Sequence, residues 1–329
     1  MNVSEQVFVG IDVSKDSLEV AIEAQGKSRA FANSEAGVSE LLAYLAPLKE
    51  RVALVVLEAT GGLERRAGLA LCMAKFAVMV VNPRQARDFA KSLGYLGKTD
   101  SIDAQALRQF ACTLHASDRR ERMLMRLPDE AQVQLQALMV RRAQLVGIRV
   151  AEQNRLAECH RLQRKSISAV IKVLDKQIAQ IDADAGKRLA AHFKEKVDLL
   201  EGLKGVGLVT KAVLMGMVNE LGQISDRQIS KLVGVAPLNH DSGKYRGKRA
   251  IWGGRAQVRA TLYMATLSAI KHDPVIAAFH KRLISAGKLP KVAIVACMHK
   301  LLIIINAIMK SGKPWQANYP QTKNSLKTA

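Results

Sequence analysis

The feature that most constrains this chain is a change in the period of its apolar residues. Five runs of strand length punctuate the first 81 residues. Val7-Phe8-Val9-Gly10-Ile11-Asp12 is β-branched and aromatic, as a buried strand requires. Leu18–Ile22 alternates in and out, and Gln25-Gly26-Lys27 reads as a turn into a third strand over 28–32. Asn33 and Ser34 stand where a helix through Val38, Leu41, Leu42 and Leu45 would begin. Val52–Leu57 is nearly all apolar, and a helix is expected after Gly61-Gly62. Phe76–Val81 is stopped by Asn82-Pro83, ahead of a helix from Arg84 to about Leu93. Three meander strands and then alternating helices and strands predict a mixed α/β sheet with helices on its faces.

Beyond Pro128 the period becomes helical, and no proline recurs until Pro237. Ile171, Leu174, Ile178, Ile181, Ala185 and Leu189 recur at steps of three and four, close to a heptad seam. Leu135, Leu138, Arg142, Leu145 and Arg149 do so less well. Two long helices are expected, with a break near Lys165-Ser166. They would pack on each other as an antiparallel pair or form a coiled coil between copies. Leu203-Lys204-Gly205-Val206-Gly207 precedes a helix over Val209–Met217 and looks like a helix-hairpin-helix turn, which would let backbone N–H groups approach a phosphate. Glycine also simply ends helices. Val233–Arg255 holds five glycines and reads as a long loop or short hairpin. Two or three amphipathic helices from about Gln257 to Met309 and a polar tail from Lys313 complete the chain. Three regions follow: 1–125, mixed α/β; 126–198, long helices; and 199–329, mainly helical.

Charge then narrows the partners. The chain carries 50 Lys+Arg against 29 Asp+Glu, a net +21, which attracts polyanions. From Glu201 onward there are 20 basic and 5 acidic residues, so 24 of the acids precede it. Aromatic residues make up 4% of the chain, too few for base stacking to dominate recognition. Tyr245 and Trp252 flank a basic loop; they could stack on a base, but packing within the core or the loop is the stronger expectation. The four cysteines lack a C-x-x-C pair, which argues against a zinc site and a disulfide framework. No signal peptide is visible at the N-terminus. The apolar stretch Val292–Met309 is interrupted by His299 and Lys300 and reads as a buried helix, so no membrane partner is expected.

Four acids are placed for chemistry. Asp12 ends the first strand, Glu58 ends the fourth, and Asp100 and Asp103 lie three apart in Thr99-Asp100-Ser101-Ile102-Asp103. If that segment opens a helix, the last two share one face, their Cβ atoms about 5–6 Å apart. Converging hard oxygen donors suit Mg²⁺. Two such ions about 3.5–4 Å apart would clamp both oxygens of a phosphoryl transfer. Each acid also has an ordinary reading, Asp12 and Glu58 as solvated surface groups and Asp100 as a helix cap. Ser242 lies in Asn239-His240-Asp241-Ser242-Gly243-Lys244, with Arg246, Lys248 and Arg249 following. A serine in such a loop is an ordinary turn residue unless a base or metal activates it.

Gly10-Ile11-Asp12-Val13-Ser14-Lys15, Glu58-Ala59-Thr60-Gly61, Asn82-Pro83 and Lys98-Thr99-Asp100-Ser101-Ile102-Asp103-Ala104 together resemble the DEDD transposases of bridge-RNA-guided insertion sequences, a group that includes Piv-type DNA invertases. Gly202–Gly207 and Leu232–Pro237 extend the resemblance over nearly the whole chain. The resemblance implies a RuvC-like, RNase H-like N-terminal domain, a coiled-coil middle and a mainly α-helical C-terminal domain. It implies Asp12, Glu58, Asp100 and Asp103 as ligands of Mg²⁺ (or Mn²⁺) and Ser242 as a nucleophile forming a phosphoserine link to DNA. Lys204, Lys244, Arg246, Lys248, Arg249, Arg255 and Arg259 would hold nucleic-acid backbones. The implied partners are donor and target DNA, a structured noncoding bridge RNA and further copies of the chain, as a homodimer or homotetramer in the bacterial cytosol. A RuvC-like junction-resolving nuclease is the alternative, since it needs the four acids but no serine.

Overall fold

A computed structural model describes residues 6–22, 26–95, 97, 99–118, 120–127, 129–238, 241–242, 245–247 and 249–315. The chain divides into two compact units, Met1–Leu127 and Pro128–Ala329.

In the first unit the apolar runs form one five-stranded sheet. Its strands are β1 (Val7–Val13), β2 (Ser17–Ala21), β3 (Arg29–Ala32), β4 (Val52–Glu58) and β5 (Val78–Val81), in the order β3-β2-β1-β4-β5. The first three make an antiparallel meander, while β4 lies parallel to β1 and β5 parallel to β4. The unit's helices are α1 (Glu35–Leu45), α2 (Arg65–Met73), α3 (Pro83–Ser92), α4 (Asp100–His115) and α5 (Arg120–Met123). Ser34 caps α1 by accepting from the Gly37 amide, and Asn82 caps α3 by accepting from Arg84. The fifth strand starts at Val78, two residues later than its apolar run. Phe76 is still bonded back to Leu71 in the turn that ends α2.

The near-continuous apolarity of β4 has a simple cause: both of its faces are buried. Val55 and Leu57 join Val9, Ile11 and Val13 of β1 in a core closed by Val38, Leu41 and Leu45 of α1 and Leu71 of α2. Leu54 and Val56 face the other way, against Ala86 of α3 and Leu107, Ala111 and Leu114 of α4. Strand alternation therefore assigns Asp12 and Glu58 to the α3–α4 face.

The second unit is mostly helical. Its long helices are α6 (Glu130–Glu158) and α7 (Arg161–His192), followed by α8 (Lys194–Asp198), α9 (Leu208–Met217) and α10 (Asp226–Val233). Three more helices close the chain: α11 (Ala256–His272), α12 (Pro274–Ser285) and α13 (Pro290–Ser311). α6 and α7 form an antiparallel hairpin whose register is marked by ion pairs of Arg142 with Asp182 (2.5 Å) and of Arg149 with Asp175. The break falls at Cys159-His160, earlier than Lys165-Ser166. Cys159 is extended, and the His160 ring accepts from the Leu162 amide to cap the new helix. No glycine or proline marks that point.

The base of the hairpin, with Leu135, Met139, Ala185 and Leu189, belongs to the unit's main core, beside Ala212–Met215 and Leu301, Leu302 and Ile305. Its far half leaves Ile148, Val150, Leu162, Val170 and Val173 exposed. Among the described helices, α13 alone is long and apolar enough to span a membrane by length and composition. Here it serves as a core helix. Cys297, Leu301, Leu302 and Ile305 are fully buried. Buried Asn306 accepts from the Gly222 amide at 2.8 Å and donates to the Ile224 carbonyl and the Asp226 carboxylate.

Candidate active site

The first unit brings three of the four acids to one cavity of about 250 Å³, lined by Asp12, Glu58, Arg87 and Asp103 with apolar Ala86, Ala90, Ala106 and Leu107. The position follows from the strands. The parallel register pairs Ile11 with Leu57, so the next residues, Asp12 and Glu58, stand side by side where two central strands end. Such carboxyl-terminal strand edges are where open α/β sheets place their ligands. The turn after Glu58 is held by the Glu64 carboxylate, which accepts from the Thr60 and Gly62 amides, both at 2.9 Å.

Asp103 arrives from above, on α4. Thr99 caps this helix by accepting from the Ile102 amide. α4 can lie against β1 because residue 10 is glycine: a Cβ there would stand 2.3 Å from the Ala104 carbonyl oxygen and 2.2 Å from the Arg108 nitrogen. That close approach sets the distance between Asp103 and the strand acids. Asp100, one turn earlier, is exposed and does not line the cavity. Among the described residues, no three acidic, histidine or cysteine side chains stand close enough together to hold an ion. The acids share a cavity without meeting at a point.

Sequence reasoning missed Arg87. Its guanidinium lies 3.8 Å from the Asp103 carboxylate and donates to the Gly97 carbonyl at 3.3 Å. In sequence it is one of several charges on a short helix. Only the packing of α3 on α4 distinguishes it from Arg84, which pairs on the surface with Asp88.

In the second unit, the segment read as a loop or hairpin is a nested ribbon. Pro237-Leu238 (β6) pairs with Ala250-Ile251 (β9), and Asp241-Ser242 (β7) pairs with Tyr245-Arg246 (β8), with Ser242 directly opposite Tyr245. Lys244 and Lys248 lie outside the described residues, as does Lys98 of the α4 motif. Lys204 and Arg249 are exposed. Arg255 and Arg259 make bonds within the fold. Arg255 forms a forked pair with Glu220 at 2.6 and 2.7 Å and donates to the Met217 carbonyl. Arg259 donates to the Val233 and Gly253 carbonyls. Tyr245 and Trp252, expected to be packed away, are 68% and 60% exposed, because two-residue strands offer no layer to cover them.

The Gly-x-Gly turn has two distinct glycines. Gly205, at φ +90°, fits where a Cβ would press within 2.5 Å of the Ala265 carbonyl oxygen of α11. Gly207 caps α9 with open space around it. Behind the turn, buried Lys211 donates to Glu201 at 2.5 Å. That bond, and the lysine charge, hold the Glu201 carboxyl below its usual range.

Two family models match the sequence. One, described as a transposase of the DEDD type of IS110, covers residues 9–162. The other, described as a transposase of the IS116/IS110/IS902 family, covers residues 197–281. Two pilin gene-inverting proteins are similar over 320 residues, 94% of this chain and 98% of theirs. That of Moraxella bovis is 24% identical and that of Moraxella lacunata 23%.

Proposed function

Because the chain belongs to the IS110/Piv-type family of transposases and recombinases, and is therefore a DNA-recombining enzyme, we propose that it cuts and rejoins DNA through a metal-assisted phosphoserine intermediate guided by a bridge RNA. The observation that carries this reading is that Asp12, Glu58 and Asp103 line one cavity at the ends of β1 and β4. The meander followed by two parallel strands, with helices on both faces, supports an RNase H-like assignment for the sheet.

The donor set suits Mg²⁺ or Mn²⁺: all oxygens, half-buried, on two strands and a helix with room between them. Asp12, Glu58 and Asp103 would hold the ion, with Asp100, one turn earlier on the same helix, as the fourth acid of the motif. When bound, such ions neutralise phosphate charge and lower the cost of deprotonating a hydroxyl.

Ser242 Oγ would attack the scissile phosphorus as it loses its proton. The Oγ–P bond forms, the P–O3′ bond breaks, and the 3′-hydroxyl leaves with a proton. Attack by another strand's 3′-hydroxyl reverses these steps, so the phosphodiester is rejoined without hydrolysis. Lys204 and Arg249, with Lys244, Arg246 and Lys248, would hold nucleic-acid backbones. Arg255 and Arg259, already bonded within the fold, would hold the base of the ribbon in place. Sequence choice would lie with base pairing to the RNA. The exposed apolar residues on the far half of the α6–α7 hairpin support a coiled-coil contact between copies, with tetrad and serine contributed by different protomers.

The test is a covalent adduct. Incubation with bridge RNA, DNA and Mg²⁺ should yield a protein–DNA species that survives denaturant, and Ser242→Ala should abolish it. Cleavage that persists in Ser242→Ala, with no adduct in the wild type, would instead identify a hydrolytic nuclease.

A further inference from the structure

The cavity presents an unusual balance of charge for a site built from acids. Among the described residues, three half-buried carboxylates line it together with the cation Arg87. Carboxylates crowded into a partly desolvated space repel one another unless a positive charge lies among them. Among the described residues, Arg87 stands within ion-pair distance of Asp103, 3.8 Å away and itself only 32% exposed. α3 holds it there, packed through Ala86 and Ala90 against the α4 face that carries Asp103 and Leu107.

We propose that Arg87 is the resident counter-ion of this cavity. It steadies Asp12, Glu58 and Asp103 before a divalent ion binds, and it is displaced from Asp103 when one does. The inference rests on the reading of the cavity as the metal site. The three acids share a space without converging. Bringing the carboxylates together on an ion would require the arginine to release Asp103. Arg87 acts through the ligands and is a positioning residue.

Mn²⁺ binding to the full-length, DNA-free protein tests this directly, by electron paramagnetic resonance of the free ion. Removing a competing cation leaves a more negative site, so Arg87→Gln should bind Mn²⁺ more tightly, by about two- to fivefold for a partly exposed pair. The metal-free melting midpoint should fall in Arg87→Gln, and saturating Mn²⁺ should raise it more than in the wild type. Arg87→Lys, which keeps the charge, should bind close to wild type and shows whether charge or shape matters. Equal or weaker Mn²⁺ binding in Arg87→Gln would overturn the proposal. Asp12→Asn separates the two readings. If it abolishes Mn²⁺ binding while Arg87→Gln changes nothing, the metal site stands and the counter-ion role falls. If Asp12→Asn binds as the wild type does, both fall.

Discussion

Single residues in this chain act by the space they leave as much as by the groups they carry. Gly10 has no chemistry, yet it decides how far Asp103 stands from Asp12 and Glu58, because α4 rests on the place a side chain would fill. Gly10→Ala must push the helix backbone outward, since the obstructing atoms at 2.2 and 2.3 Å are main-chain atoms that cannot rotate aside. Overpacking of this kind costs about 1–3 kcal/mol. A misplacement of about 1 Å in a reactive site can lower a reaction rate by about a hundredfold. Gly10→Ala should therefore lower the melting midpoint modestly and DNA cleavage severely, read by calorimetry and by strand-cleavage gels. Wild-type cleavage in a destabilised Gly10→Ala protein would show that the α4–β1 distance does not set the site. Asp12 and Glu58 were legible in the sequence because apolar runs end on them. Arg87 was not, since its neighbour Asp103 lies 16 residues away and reaches it only through helix packing.

At the scale of elements, legibility followed the strength of local signals. Strands buried on both faces read as apolar runs, and the cap at Ser34 was visible as a residue type, whereas Asn82 read only as the end of a strand. The turn between α6 and α7 carried no such signal. Arg161–Ser166 are ordinary helix residues, and only the extended Cys159 and the cap from His160 interrupt the pattern. The nested pairing around Ser242 was equally hidden, since two-residue strands have too little period to recognise. The hairpin register is testable through Arg142 and Asp182, whose side chains are only 23% and 26% exposed. Asp182→Arg alone would set two guanidinium groups face to face and should destabilise the protein by about 1 kcal/mol or more. Adding Arg142→Asp restores an opposite pair in the reversed sense. The double variant should recover most of the loss in urea unfolding, and a double variant no more stable than Asp182→Arg would contradict the register.

For the whole molecule, the two units divide the charge in a way that composition alone conceals. Met1–Leu127 carries 17 Lys+Arg against 15 Asp+Glu, whereas Pro128–Ala329 carries 33 against 14. The unit with the carboxylate cavity is nearly neutral, and the surplus that draws polyanions belongs to the unit with the ribbon and the long hairpin. A near-neutral unit attracts phosphates weakly, so the second unit's surplus should govern the electrostatic part of nucleic-acid binding. Nucleic-acid affinity should then fall steeply with salt, with a log–log slope of about −0.7 to −0.9 for each phosphate neutralised. Replacing exposed Lys204 and Arg249 with glutamine should weaken binding to all sequences alike and reduce the slope by about 1.5, two contacts' worth. Asp12→Asn should leave the slope unchanged, because it removes no positive charge that could neutralise a phosphate. Fluorescence anisotropy across a salt series separates these cases. If the slope were unmoved in the Lys204→Gln, Arg249→Gln protein but shifted in Asp12→Asn, phosphates would be held chiefly at the cavity, and the division of labour between the units would be the reverse of the one the charges describe.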